Sequence, residues 1–214
     1  MKPLDLTLYL ITDSSDLEED IFLKKVEDAL RAGVTLLQLR EKERSGRGLY
    51  ELAHKVNLIA KHYNVPLIID DRVDVAMAVN AGGVHVGQCD LPVSAARKLI
   101  GPDKIVGATA KTVEQAKEAT EQGADYLGVG AIYPTTTKVK TVLTPVATLA
   151  DICRAVPIPA VAIGGLNSAN LEVLRGAGMA GIAVVSAIMK ANDVSATVTG
   201  LRQAFAAVSE GKTI

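Results

Sequence analysis

The sequence alternates eight times between a short apolar run and a longer amphipathic segment. The runs have the length and the Val, Ile and Leu content of buried strands, and the segments after them have the apolar spacing of helices. The predicted strands are Leu6–Thr12, Thr35–Leu39, Leu67–Ile69, Val84–Val86, Ile105–Ala108, Tyr126–Val129, Ala160–Ile163 and Gly181–Val185. Strands that alternate with helices form a parallel sheet. Eight such units in 214 residues predict an α/β fold with one domain, residues 1–214, built as a single (β/α)8 TIM barrel.

The predicted helices alternate with these strands, and four of them are followed by a glycine. They are a helix up to about Ala32, then Tyr50–Tyr63, a short helix after Arg72, Leu91–Ile100, Val113–Gln122, Val146–Val156, Ser168–Ala177 and Val194–Val208. Glycines at positions 33, 82, 123 and 178 predict left-handed helix ends shortly before a strand. The long irregular stretch 131–145 lies where a barrel keeps its functional loops.

Charge and composition exclude several classes of partner. The formal net charge is −1, aromatic residues are 3% and Trp is absent, which argues against nucleic-acid binding and against a polybasic membrane contact. No apolar run reaches transmembrane length, and the first residues lack the pattern of a signal peptide. Two cysteines, Cys89 and Cys153, indicate a reducing compartment. We therefore expect a cytoplasmic protein that acts on small molecules; the sequence leaves its subunit number open, a homo-oligomer included.

Carboxylates follow two neighbouring predicted strands. Asp70 and Asp71 follow Leu67–Ile69, and Asp90 comes four residues after Val86. Strand carboxyl ends form the ligand-binding edge of a parallel barrel, and one or two carboxylates are the protein ligands that Mg²⁺ usually takes. Asp71 and Asp90 therefore predict a magnesium site. The alternative is that each Asp caps the helix that follows it, which is the interpretation we prefer for Asp74.

Cationic and hydroxyl side chains lie near other predicted strand ends. Gln38, Arg40 and Lys42 share one face of the second strand, and Arg with Lys suits phosphate oxygens, although a solvated Arg-Glu-Lys turn is the alternative. Thr109 and Lys111 follow strand five and could donate to an anion, whereas His85 on strand four is better explained as a structural residue, since nothing in the sequence places it beside a nucleophile. The predicted phosphate-binding residues further along the chain are Thr135, Thr136, Thr137 and Lys138 after strand six, Gly164 and Gly165 after strand seven, and Val185 and Ser186 after strand eight.

Six segments together resemble one enzyme family. They are Gln38–Lys42, Asp71–Asp74, Gly83–Asp90, Gly130–Lys138, Ala162–Gly165 and Ala183–Ile188. The chain is similar to thiamine phosphate synthase from about Tyr9 to Phe205. The resemblance implies a transferase that joins 4-amino-2-methyl-5-(diphosphooxymethyl)pyrimidine to 4-methyl-5-(2-phosphooxyethyl)thiazole and releases pyrophosphate, which leaves before the new bond forms.

The resemblance also implies a role for each predicted site residue. Mg²⁺ would be held by Asp71 and Asp90. The pyrimidine diphosphate would contact Gln38, Leu39, Arg40, Glu41, Lys42, Asp70, Thr109 and Lys138, with Arg40, Lys42 and Lys138 as the catalytic cations. The thiazole phosphate would contact Thr135, Thr136, Thr137, Gly165, Val185 and Ser186. The chain departs from the family at position 70, commonly Asn and here Asp, and at position 109, commonly Ser and here Thr.

Three alternative functions remain open at this point. A phosphosugar isomerase or epimerase could use Asp71 and Asp90 as an acid/base pair, but a sugar monophosphate needs less positive charge than Arg40, Lys42 and Lys138 provide. A thiazole tautomerase shares the barrel but tends to lose the Thr-x-Thr-Lys loop, which is intact here. The third alternative is a barrel that binds a ligand without catalysis.

Overall fold

The fold is a closed barrel of eight parallel strands. A computed structural model describes residues 4–135 and 142–209. The strands are β1 (Leu8–Ile11), β2 (Leu36–Leu39), β3 (Leu67–Asp70), β4 (Gly83–Val86), β5 (Ile105–Ala110), β6 (Tyr126–Gly130), β7 (Ala160–Ile163) and β8 (Gly181–Val184). They pair in sequence order, and β8 pairs with β1 through Leu8–Ile182, Tyr9–Ala183 and Leu10–Val184, which closes the barrel. The predicted TIM barrel is confirmed.

Helices connect the strands on the outside of the barrel. They are α1 (Glu19–Ala32), α2 (Gly46–His62), α3 (Val73–Ala78), α4 (Val93–Ile100), α5 (Val113–Glu121), α6 (Val146–Ala155), α7 (Ser186–Met189) and α8 (Val194–Ser209). None of these helices is both long and apolar enough to cross a membrane, within the residues described.

Strand alternation divides the apolar residues into two cores. Leu37 and Leu39 of β2 belong to the large core between strands and helices, whereas Leu36 belongs to a smaller core inside the barrel. The inner core also contains Tyr9 and Tyr126, both about 1% exposed or less. The inward positions of a strand therefore have one parity, and Gln38 has the parity of Leu36.

The predicted helix Ser168–Ala177, after β7, is wrong. Only one turn of 3-10 helix forms there, at Leu171–Leu174. The side chain of Asn167 accepts a hydrogen bond from the backbone of Ala169, and that of Asn170 accepts one from the backbone of Asn167. Such local bonds satisfy backbone groups in a turn and so compete with a helix.

The predicted left-handed glycines are confirmed at three positions and wrong at one. Gly33, Gly123 and Gly178 have positive φ angles of 111°, 95° and 82°. After α3, however, the left-handed residue is Asn80, with φ 50°, and not Gly82. Asn is the residue other than Gly that most readily adopts this conformation. The left-handed turn therefore lies two residues before the predicted position.

We expect opposite effects on stability from alanine at two glycines. A Cβ at Gly83 would overlap the carbonyl oxygen of Ile105 on the neighbouring strand, so Gly83→Ala should destabilise the fold by about 1–3 kcal/mol. Gly200 lies within α8 with nothing close to the position of a Cβ, so Gly200→Ala should stabilise by about 0.5–1 kcal/mol. Denaturant unfolding measures both; a Gly83→Ala variant as stable as the parent would contradict the register of β4 and β5.

Candidate active site

A pocket opens at the carboxyl ends of the strands. It contains both of the predicted anion-binding sides, since its lining comes from β2, β3 and β5 as well as from the segments after β6, β7 and β8. The predicted site residues that line it are Gln38, Arg40, Asp70, Thr109, Thr135, Gly165, Val185 and Ser186. The strand-end positions therefore converge as the sequence predicted.

Other predicted residues lie elsewhere. The side chain of Leu39 is fully buried in the core between strands and helices, because it has the outward parity of β2. Lys42 adjoins the pocket through Asp70. Thr136, Thr137 and Lys138 lie outside the described residues.

Glu41 is turned away from the pocket and towards the segment after β1. One carboxylate oxygen accepts a hydrogen bond from Ser14 Oγ at 2.7 Å and lies 3.4 Å from Arg44 Nε. The other oxygen is buried and has no hydrogen-bond partner among the residues described. These contacts support a structural role for Glu41, in which it joins the segments after β1 and β2.

Lys42 joins the two consecutive aspartates after β3. Its Nζ lies 2.9 Å from Asp70 Oδ2 and also contacts Asp71 Oδ2, while Arg40 Nε is 3.7 Å from Asp70 Oδ2. Burial by itself lowers the pKa of Lys42, but the hydrogen bonds to Asp71 and Asp70 outweigh it, and the net pKa is raised. Lys42 is therefore a firmly charged cation, and it balances the negative charge that Asp introduces at position 70.

Asp71 and Asp90 bring their carboxyl groups together beside Lys42, although neither of them is among the residues that line the pocket. Asp71 has a left-handed backbone, with φ 57°, and its N–H donates to the His85 carbonyl at 2.9 Å, which fixes it beside β4. Asp90 Oδ2 accepts a hydrogen bond from the backbone N–H of Gly87 at 2.8 Å. Partial burial, and then the hydrogen bond and negative charge of Asp71, raise the pKa of Asp90. Two mutually repelling carboxylates favour a bound cation.

The composition of this cluster suits a hard divalent cation that shares its ligands with a substrate. No group of three or more His, Cys, Asp or Glu side chains that could hold a metal ion is present in residues 4–135 and 142–209. Mg²⁺, however, usually takes only one or two carboxylates and completes its shell with water and substrate phosphate. Asp71 and Asp90 fit that pattern, and the repulsion between them is the feature that a cation would relieve.

The opposite side of the pocket is formed by the segments after β7 and β8. Gly165 has φ 65°, and a Cβ there would lie 2.7 Å from Tyr133 Cβ and 2.8 Å from the Pro134 carbonyl oxygen, so only glycine fits. Asn170 Nδ2 donates to the Gly165 carbonyl at 2.9 Å and holds this turn. Ser186 is exposed at the start of α7. Backbone and hydroxyl donors can thus approach a small anion closely.

His85 lines the pocket and makes a contact that the sequence did not predict. Its Nε2 lies 3.0 Å from Thr109 Oγ1 and its Nδ1 lies 3.0 Å from the Tyr126 hydroxyl. These two hydrogen bonds agree with the predicted structural role of His85, and they also place it beside the Thr109 hydroxyl, a contact that the sequence did not indicate. Inward parity on both strands was the signal that could have found this pair.

Lys111 also lines the pocket, as its position after β5 suggested. Its Nζ donates to the Val142 carbonyl at 3.2 Å.

Comparison with known proteins decides the family. A family model described as thiamine monophosphate synthase matches residues 8–188. The chain belongs to this family. It is 51% identical over 208 residues to a thiamine-phosphate synthase of Lacticaseibacillus paracasei, an alignment that covers 97% of this chain and 98% of the relative. It is 54% identical over 196 residues to a thiamine-phosphate synthase of Enterococcus faecalis, with 92% of each chain covered.

A solved structure of a family member has the same fold. The thiamine phosphate pyrophosphorylase of Pyrococcus furiosus superimposes with a TM-score of 0.87 at 38% identity, covering 96% of this chain and 98% of that chain. The predicted family is confirmed, and the chain is an enzyme of the thiamine monophosphate synthase family.

The raised pKa of Asp90 predicts how the substitution Asp90→Asn, which keeps the shape and removes the charge, changes the stability of the protein at different pH values. A carboxyl group whose pKa is raised by folding lowers the free energy of unfolding at any pH where the group is ionised. This destabilisation is absent at pH values below the ordinary pKa and complete at pH values above the raised pKa. Asp90→Asn should therefore raise the melting temperature at neutral pH with a chelator present, and the gain should shrink as the pH falls into the carboxyl range. Thermal melts of both proteins across pH provide the measurement. A gain that is largest in acid would contradict the assignment.

Proposed function

We propose that this chain condenses 4-amino-2-methyl-5-(diphosphooxymethyl)pyrimidine with 4-methyl-5-(2-phosphooxyethyl)thiazole to give thiamine phosphate and pyrophosphate, with Mg²⁺. The observation that carries the proposal is a single pocket with two chemically different anion-binding sides. One side offers backbone and hydroxyl donors at Gly165 and Ser186, and the other offers Arg40 and Asp70. Lys42, Asp71 and Asp90 lie next to Asp70, just outside the lining. A reaction between a monophosphate and a diphosphate needs this combination.

The side at Gly165 and Ser186 suits the thiazole monophosphate. The phosphate grip of a TIM barrel is usually formed after strands seven and eight, where these residues lie. Val185 lies between β8 and α7 and lines the same side of the pocket. Thr135 lines the pocket as well, from the segment after β6.

The opposite side suits the pyrimidine diphosphate. In the structure Lys42 is bound to Asp70 and Asp71, and Arg40 lies near Asp70, so these two cations already face carboxylates. A diphosphate would have to compete with these carboxylates for both cations unless a divalent cation neutralised them. Asp71 and Asp90 would hold Mg²⁺, which would neutralise them, so that Lys42 and Arg40 would be available to the diphosphate and Asp70 could accept from the pyrimidine 4-amino group.

The same cationic side chains and the proposed Mg²⁺ support a dissociative mechanism. Mg²⁺ would supply charge neutralisation of the departing pyrophosphate. Arg40 and Lys42 would bind its oxygens and gain strength as negative charge accumulates there. The thiazole nitrogen carries its own lone pair, so the capture step requires no general base. In this mechanism, the protein orients the two substrates and stabilises the leaving group.

Pyrophosphate release tests the function. We expect release that requires both organic substrates and Mg²⁺, with thiamine phosphate formed in equal amount. Release from the pyrimidine diphosphate alone would indicate a hydrolase. Conversion of the thiazole phosphate or of a phosphosugar without any pyrophosphate would indicate a tautomerase or an isomerase, and binding without turnover would indicate a non-catalytic barrel.

The small-molecule substrates and the two cysteines of the enzyme also support our proposal that it works in the cytoplasm.

Removing either metal-binding carboxylate should reduce turnover strongly. We expect Asp71→Ala or Asp90→Ala to lower kcat by on the order of 10²–10³-fold, because the leaving group loses a main electrostatic contact. Mg²⁺ should raise the melting temperature of the parent but not of these variants. Asp74→Ala is the matched control, since Asp74 pairs with Arg72 at 2.6 and 2.9 Å instead of with Lys42 or Asp90. Full Mg²⁺-dependent activity in the Asp71→Ala/Asp90→Ala double variant would refute the metal site.

The two sides of the pocket should be separable by mutation. Ser186→Ala should weaken binding of the thiazole phosphate and leave binding of the pyrimidine diphosphate nearly unchanged. Isothermal titration with each ligand alone measures this, with Ser195→Ala, an exposed serine of α8, as control. Equal losses for both ligands would mean that they share one anion site.

A trifluoromethyl pyrimidine analogue tests the order of bond breaking. If pyrophosphate leaves first, positive charge develops on the pyrimidine methylene, and an electron-withdrawing substituent should slow the chemical step steeply with little effect on diphosphate binding. Single-turnover kinetics isolates that step. A rate equal to that of the methyl substrate would favour direct displacement.

A further inference from the structure

A chain of hydrogen bonds runs through the barrel interior and ends at the pocket. Gln38 Nε2 donates to the Tyr9 hydroxyl at 2.5 Å, and the Tyr9 and Tyr126 hydroxyls are 2.7 Å apart. The Tyr126 hydroxyl is 3.0 Å from His85 Nδ1, and His85 Nε2 is 3.0 Å from Thr109 Oγ1. The chain thus connects five different strands and links the inner core to a pocket hydroxyl.

Glycines on the neighbouring strands provide the space for this chain. A Cβ at Gly107 of β5 would overlap the ring and hydroxyl of Tyr126. A Cβ at Gly128 of β6 would lie 3.3 Å from His85 Cε1, closer than side chains normally pack. The backbone of two strands is therefore adapted to the Tyr126–His85 pair, and an aliphatic core would not need either glycine.

The first donor determines the direction of every bond that follows. Because Gln38 donates to the oxygen of Tyr9, the Tyr9 hydrogen is directed to Tyr126, and the Tyr126 hydrogen to His85 Nδ1. Both phenols keep their hydrogens, since burial raises the pKa of Tyr9 and of Tyr126. His85 Nδ1 is then an acceptor, so the imidazole hydrogen is on Nε2 and is donated to Thr109.

We propose that Gln38, Tyr9 and Tyr126 hold His85 as the Nε2–H tautomer, so that Thr109 accepts from His85 and presents its own hydroxyl hydrogen to an anion in the pocket. In the opposite tautomer Nε2 would accept the Thr109 hydrogen, and Thr109 would be an activated nucleophile. The chain therefore makes Thr109 a hydrogen-bond donor. Tyr9, Tyr126 and His85 are positioning residues. The tautomer follows from the geometry alone; its effect on turnover rests on the proposed function.

Nitrogen NMR of His85 tests the tautomer directly. The protein contains three histidines, and His54 and His62 are exposed, so His54→Gln/His62→Gln leaves His85 as the single histidine. In this variant labelled with ¹⁵N-histidine, we expect a protonated Nε2 and an unprotonated Nδ1 that accepts a hydrogen bond. Protonation of Nδ1, alone or together with Nε2 at neutral pH, would overturn the proposal. This result does not depend on any activity.

Two tyrosine variants test the direction of the chain. Tyr126→Phe removes the hydroxyl that donates to Nδ1. The ¹⁵N chemical shift of Nδ1 should therefore move to that of an unprotonated nitrogen that accepts no hydrogen bond. Tyr9→Phe removes an equally buried hydroxyl one step further away, leaves Tyr126 able to donate, and should leave the Nδ1 signal in place. A general loosening of the core would move the signal in both variants. Equal shifts, or a shift only in Tyr9→Phe, would contradict the assigned direction.

Substitution of His85 tests the consequence for Thr109. A glutamine amide can donate from near the position of Nε2, whereas leucine cannot, so His85→Gln should retain more turnover than His85→Leu. We expect the leucine variant to lose on the order of tenfold in kcat, as when a hydrogen bond that orients a functional group is removed. Equal kcat values for the two variants would overturn the role assigned to His85. An inactive parent would instead refute the proposed function and leave the NMR result standing.

Discussion

Closure of the barrel is the constraint on which the rest of the structure depends. Because β8 pairs with β1, every strand has two neighbours, and each strand can turn only alternate side chains inwards. The last inward positions therefore meet in a small space at one end, where Gln38, Asp70, His85 and Thr109 line one pocket. A shift of β2 by one residue would exchange Gln38 with Leu39 and remove the polar side chain from the pocket.

The charges at the edge of the pocket balance one another closely. Lys42 contacts two carboxylates, and the remaining carboxyl, Asp90, has a raised pKa because it is partly buried and faces Asp71. An isolated buried charge would be costly, and this arrangement avoids it without a ligand. Lys42 and Arg40 thus already have anionic partners in the structure. Under the proposed function, a metal and a diphosphate would therefore bind together.

Polar side chains extend from this pocket into the inner core. Two tyrosine hydroxyls, both buried, satisfy one another and contact Gln38 on one side and His85 on the other. Buried polar groups are tolerated where every member has a partner, and such a network also fixes orientations that an apolar core would leave free. Hydrogen bonds in the inner core, in addition to van der Waals packing, thus orient the side chains of Gln38 and His85 in the pocket.

The sequence by itself determined the eight strands and most of the helices, because hydrophobic periodicity is a local property of the chain. The exceptions are the segment after β7 and the short helix α7, which was not predicted. It also predicted that Gln38 and Arg40 would reach the pocket, since parity within one strand is local too. Only the tertiary structure decided that Glu41 pairs with Ser14 and that His85 meets Thr109. Those partners come from different strands or from the segments that follow them, and which side chains meet depends on the register between strands, which no single stretch of sequence encodes.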